Sequence, residues 1–124
     1  MTDYLSLEDL LTVIERYGLP PVRDVGLLDS AAHRPMTTLF GDDAYPTLDE
    51  KAAVVMESIV RNHPLVDGNK RLGWLSAVLT YRLNGARLDA PEDDAYDLVI
   101  GIAEGKVDYH ESAARLASWT STST

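Results

Sequence analysis

Residues 63 to 71 read His-Pro-Leu-Val-Asp-Gly-Asn-Lys-Arg, a run that contains the parts of a phosphate-handling site. An imidazole exchanges protons near neutral pH, so His63 is a candidate general base toward an incoming hydroxyl. Gly68 lets the backbone bend until several N–H groups converge, and lets a ligand approach closely. Asn69, Lys70 and Arg71 then open a helix. The first turn of a helix offers unpaired N–H groups and the positive end of a dipole, which is an anion site before side chains are counted. Asp67 is the odd member, because a carboxylate repels a phosphate. Mg²⁺ held by one carboxylate and by phosphate oxygens resolves that conflict. The candidate set is His63 as base, Asp67 as metal ligand, and Gly68, Asn69, Lys70 and Arg71 around the phosphates.

Each residue taken singly has a plainer reading. His63 continues an apolar stripe and would suit a buried, satisfied histidine. Asp67-Gly68-Asn69 is an ordinary turn with a capping residue. Lys70-Arg71 would be a solvated pair, except that cations are unfavourable at the positive end of a helix. Such a conflict between local preference and position is expected at functional sites. His33 and His110 share no metal-ligand spacing with His63 and read as surface or structural residues. Trp74 and Tyr81 read as core.

The surrounding elements read as helices. Ser6 to Asp9 has the form of a capping box, with Leu7, Leu10, Leu11 and Ile14 on one face up to about Tyr17. Gly18 and Pro20-Pro21 end it. Asp24 caps a short helix through Leu28 and Ala31 that stops before Pro35. Gly41-Asp42-Asp43 is a turn signal within 36–46 and predicts a short hairpin or flap. Thr47 to Glu50 is a full capping box whose helix carries Leu48, Ala52, Val55 and Ile59. Pro64 places His63 at or just past its end. The next helix is apolar on nearly every face from Leu72 to Leu83, so it is expected to be the buried one, with Gly85 as its stop. Two more helices are expected, about Glu92 to Glu104 and about Tyr109 to Trp119. This predicts one all-α domain over 1–119, a compact helical bundle with a flap before the helix-loop-helix, and a tail over 120–124 that frays.

The 124 residues carry a net charge of −9, which opposes nonspecific binding to nucleic acid. Any bound anion must therefore be held by a local concentration of donors and cations. There is no cysteine, which excludes disulfides and thiolate metal sites. Nothing resembles a signal peptide or a membrane span of roughly 20 apolar residues, and a cytoplasmic setting is expected.

The segment His63 to Arg71 resembles the signature of the Fic/Doc family, and its Asn69-Lys70-Arg71 ending resembles the Doc branch. Tyr4 to Glu8, Ile14 to Gly18, Arg23 to Asp29, Arg34-Pro35, Tyr45-Pro46, Glu50 to Ala52 and Arg82 to Gly85 fit the same pattern in order. The resemblance implies the Fic fold, and a toxin that transfers the γ-phosphate of ATP, with Mg²⁺, to a threonine of elongation factor Tu. It implies His63 as base, Asp67 on Mg²⁺, and Asn69, Lys70 and Arg71 on the phosphates, with Gly68 shaping the nest.

Fic proteins proper usually have Gly where Lys70 stands and transfer AMP; Lys70 favours the reversed nucleotide and kinase chemistry. Trp74 occupies the place where they often have a second Arg. The family normally has Phe at Leu65, so a somewhat looser loop is expected. The inhibitory pattern Ser/Thr-x-x-x-Glu-Gly/Asn is missing, since Ile100 stands four residues before Glu104-Gly105. Inhibition is therefore expected from a separate antitoxin, of the Phd type. AMP transfer, or a catalytically silent protein that binds an antitoxin or a nucleotide, are the competing readings.

Overall fold

The computed structural model describes residues 1–122. Six helices carry the chain: α1 Leu7–Arg16, α2 Val25–His33, α3 Leu48–Asn62, α4 Asn69–Leu83, α5 Glu92–Ala103 and α6 Tyr109–Ser118. A short 3-10 turn, Arg34–Met36, follows α2, and two strand pairs complete the fold. This is the expected all-α architecture. None of the helices is long and apolar enough to cross a membrane.

Local chemistry accounts for the helix boundaries. Ser6 and Asp9 form a reciprocal capping box on α1, and Asp24 caps α2 by accepting from the Leu27 N–H. Thr47 caps α3 by accepting from the Glu50 N–H, but only half of the expected box forms. The Glu50 carboxylate accepts instead from the Thr47 hydroxyl at 2.9 Å. Asp108 caps α6 through the N–H groups of His110 and Glu111.

The deeply buried helix is α3, not α4. Every residue of α3 from Lys51 to Val60 is buried. In α4, by contrast, Trp74, Leu75, Val78 and Leu79 are half-buried and Leu83 is exposed. Hydropathy alone points the other way because α3 carries Lys51, Glu57 and Ser58. Each is buried with a partner, as buried charge requires. Lys51 donates to Asp43 at 3.1 Å and to the Tyr45 carbonyl. Glu57 accepts from Arg34 at 3.0 Å, and its other oxygen lies 3.6 Å from Arg61. Arg34 also donates to Ser58 and Tyr45. Burial works against the Arg34 charge, and its hydrogen bonds with Tyr45 and Glu57 more than offset this, so its pKa rises.

Two apolar clusters pack against different faces of α3. Met56, Val60, Tyr81, Leu98, Ile102 and Leu116 join it to α4, α5 and α6. Leu10, Ile14, Leu28, Ile59, Leu65 and Leu72 join it to α1, α2, α4 and the loop before α4. The α3–α4 crossing is close at Gly73, where a Cβ would lie 2.5 Å from Val60 Cγ2 and 3.2 Å from the Met56 carbonyl oxygen. Gly73→Ala is expected to cost about 1–3 kcal/mol by overpacking, read as a fall in the urea midpoint at constant slope.

The flap forms as β1 Thr38–Leu39 and β2 Asp42–Asp43, antiparallel, with Thr38 opposite Asp43. Buried Lys51 ties β2 to α3. A second pair was not legible: β3 Ala86–Leu88 and β4 Thr120–Thr122, antiparallel, with Leu88 opposite Thr120. The segment set apart as a tail, 120–124, is thus in part a strand. Three-residue strands carry too little alternation to announce themselves, and Gly85 turns the chain so that Ala86–Leu88 meets the end of α6. Residues 123 and 124 lie outside the described part.

Candidate active site

The loop between α3 and α4 is held from three sides. Backbone hydrogen bonds tie Arg23 and Asp24 N–H to the Pro64 carbonyl at 2.7 and 3.0 Å, and Val66 N–H to the Pro21 carbonyl at 3.0 Å. Val22 and Leu65 form an isolated antiparallel bridge, and the Leu65 side chain is fully buried. Below, Asn69 accepts from Leu65 N–H at 2.9 Å and donates to the Leu65 carbonyl at 3.1 Å. Pro20 closes the remaining side, its Cδ 3.0 Å from where a Cβ on Gly68 would stand. With φ +81° at Gly68, glycine meets both the left-handed backbone and the close approach.

His63 is the C-cap of α3, exposed, with φ +54° and ψ +61°. The left-handed region is uncommon for a residue with a Cβ, and such strain clusters at functional positions. Arg23 braces it. Its Nε donates to the His63 carbonyl at 2.9 Å and its Nη2 to the Asn62 carbonyl at 3.2 Å, which satisfies acceptors left free at a helix end. Nothing local in the sequence marks this role for Arg23; only the meeting of two distant segments creates it.

The α4 N-terminus differs from most of the others. Helices α1, α3, α5 and α6 each open on acidic residues. Helix α4 opens on Gly68 with no acidic residue in its first turn and no side-chain cap. No protein acceptor takes the N–H groups of Asn69, Lys70 or Arg71 among the described residues. The Lys70 and Arg71 side chains are exposed and make no ion pair among those residues either. A groove of about 580 Å³ runs from them along Trp74 to Tyr96, Val99 and Ile100 of α5, with Glu92 at its edge. Trp74 is therefore a groove wall as well as packing.

The structure brings His63, Asp67, Gly68, Asn69, Lys70 and Arg71 together, with one difference in use. The Asn69 side chain is 6% exposed and committed to Leu65, with His63 Nδ1 3.3 Å from its amide nitrogen. Its backbone N–H, not its amide, is what the helix start leaves without a protein acceptor among the described residues. Asp67 is exposed, and one carboxylate oxygen accepts from the Gly68 N–H at 2.8 Å. The other has no protein donor among the described residues. No three His, Asp or Glu side chains gather into a metal cage among those residues, so a cation at Asp67 would rely on a ligand's oxygens. His33 and His110 are exposed beside Asp29 and Asp108.

An uncapped, cation-rich helix start that follows a strained histidine, inside a six-helix bundle with a flap, defines a class, and the sequence comparison agrees. Residues 2–81 match the family model described as Fic/DOC family, and the chain belongs to that family. It is 46% identical over 123 residues to the Toxin Doc of Mycolicibacterium smegmatis, covering 96% of this chain and 95% of the relative. It is 32% identical over 110 residues to the Protein kinase doc of Escherichia phage P1, covering 84% of this chain and 85% of that protein.

Proposed function

We propose that this chain is the toxin of a toxin–antitoxin pair and transfers the γ-phosphoryl group of ATP to a protein hydroxyl, with a threonine of elongation factor Tu as the target. The observation that carries this reading is the start of α4. Three backbone N–H groups and two cations without protein partners among the described residues stand there, six to eight positions after His63, in a chain of net charge −9. Such a place attracts a polyanion that the rest of the surface repels. Relatives named as a toxin and as a protein kinase support the direction of the chemistry.

The N–H groups of Asn69, Lys70 and Arg71 take the phosphate oxygens, and Lys70 and Arg71 neutralise charge that shifts toward the leaving group. The groove toward Tyr96 has room for the rest of the nucleotide. Asp67 would hold Mg²⁺, which would supply further neutralisation of the phosphates. His63 takes the proton of the target hydroxyl as its oxygen bonds to the γ-phosphorus and the bridging P–O bond to ADP breaks. Positioning and charge stabilisation carry most of such a transfer. Restraint comes in trans, from an antitoxin of the Phd type.

The test incubates the protein with ATP labelled at the γ-position, Mg²⁺ and elongation factor Tu. Label is expected on a threonine of the factor. Lys70→Gly is expected to lower labelling about a hundredfold, the scale for loss of one charge-stabilising donor. Label that transfers only from the α-position would assign AMP transfer instead. Absence of label on every translation factor would overturn the kinase reading.

A further inference from the structure

The side-chain amide of Asn69 has only one orientation available. Its Oδ1 accepts from the Leu65 N–H and its Nδ2 donates to the Leu65 carbonyl. Reversal would set oxygen against oxygen and N–H against N–H. The amide nitrogen carries two hydrogens. One is spent on Leu65; the other faces His63 Nδ1 at 3.3 Å. A ring nitrogen that faces a donor must offer its lone pair, and in a neutral imidazole the single proton then resides on the other nitrogen.

We infer that Asn69 is a positioning residue that holds His63 in its Nε2–H tautomer, so that the resting loop presents a donor rather than a base. This deepens the function proposed above and rests on its assignment of His63 as the base. Among the described residues no protein group holds Nε2, so it is the nitrogen left for a ligand. In the resting tautomer it can donate to a phosphate oxygen. It can accept the proton of a hydroxyl only after the ring's own proton has moved to Nδ1. That move leaves the ring neutral and creates Nδ1–H opposite an Asn69 N–H, so the contact between the two side chains must open. Asn69 thus sets the order of events: the ring releases Asn69 before it can act as a base. The backbone on either side gives little slack, because Arg23 holds the His63 carbonyl and Asn69 itself is locked onto Leu65.

The experiment uses the full chain labelled with nitrogen-15 at histidine, free of nucleotide, at a pH where the ring is neutral. Long-range proton–nitrogen correlation distinguishes a protonated ring nitrogen from one with a lone pair. His33→Gln and His110→Gln assign the signals by subtraction. A single tautomer is expected for His63, with the protonated-type shift at Nε2. In Asn69→Asp the carboxylate accepts from Nδ1–H, and the pattern should reverse. Circular dichroism checks that this variant folds. An Nδ1–H tautomer or a mixture in the wild-type protein would overturn the inference. So would an unchanged pattern in folded Asn69→Asp. Should that variant fail to fold, the wild-type spectrum decides alone. Failure of the base assignment is read separately, as phosphoryl transfer that survives in His63→Ala, and it leaves the wild-type spectrum untouched.

Discussion

Exchange of His63 for alanine is expected to lower phosphoryl transfer about 10²–10⁴-fold, the range a positioned general base contributes. Nucleotide affinity should change little. The α4 helix start and its cations do not depend on the His63 ring, whose one hydrogen-bond neighbour among the described residues is the Asn69 amide. Alanine at φ +54° carries a backbone cost of roughly 1–2 kcal/mol, so His63→Asn is the better control, asparagine being more tolerant of that conformation. Both variants should bind ATP by calorimetry and fail to transfer label. Expression in cells gives a second readout. Growth arrest should disappear with His63→Ala; arrest that persists would favour a nonenzymatic protein that acts by binding alone.

The candidate site was legible as a cluster because its parts are contiguous. A histidine, a carboxylate, a glycine and two cations within nine residues need no knowledge of long-range contacts, and the cations at a helix start conflict with the dipole in a readable way. Helix boundaries were legible for the same reason. Ser6, Asp24 and Thr47 cap through hydrogen bonds only three residues long, and Gly18, Gly68, Gly85 and Gly105 take the left-handed backbone where helices begin or end.

What escaped the sequence depends on partners far along the chain. Lys51 and Glu57 make α3 look amphipathic, yet Arg34, Arg61 and Asp43 let that helix be buried on all sides. The brace from Arg23 to His63 spans 40 residues, and the pairing of Ala86–Leu88 with Thr120–Thr122 spans more than 30. Asn69 is the instructive case. Residue type makes it a phosphate ligand or a turn residue with equal ease. Only the positions of the Leu65 backbone and the His63 ring show that its amide is already spoken for. A motif thus names the residues near the chemistry without dividing them into those that touch the ligand and those that hold the others.

Leu65 carries the second large effect. Truncation to alanine is expected to cost about 2–5 kcal/mol, a large share of the roughly 5–15 kcal/mol that holds a domain of this size together. The side chain is 1% exposed among Leu10, Ile59 and Leu72, and its backbone N–H and carbonyl are both bonded to Asn69. A void there removes apolar packing from the loop while its backbone hydrogen bonds to Asn69 remain. The urea midpoint should therefore fall sharply, with transfer activity in the folded fraction reduced less than in His63→Ala. Leu65→Met conserves volume and should cost under about 1.5 kcal/mol. The phenylalanine usual in the family separates two views of the loop. If Leu65 leaves slack, Leu65→Phe should raise the midpoint. A site already filled by its neighbours predicts the reverse, a loss of about 1–3 kcal/mol through overpacking. The complete burial of Leu65, with Val22 bridged to it across the loop, favours the loss. A stabilised Leu65→Phe would restore the looser loop.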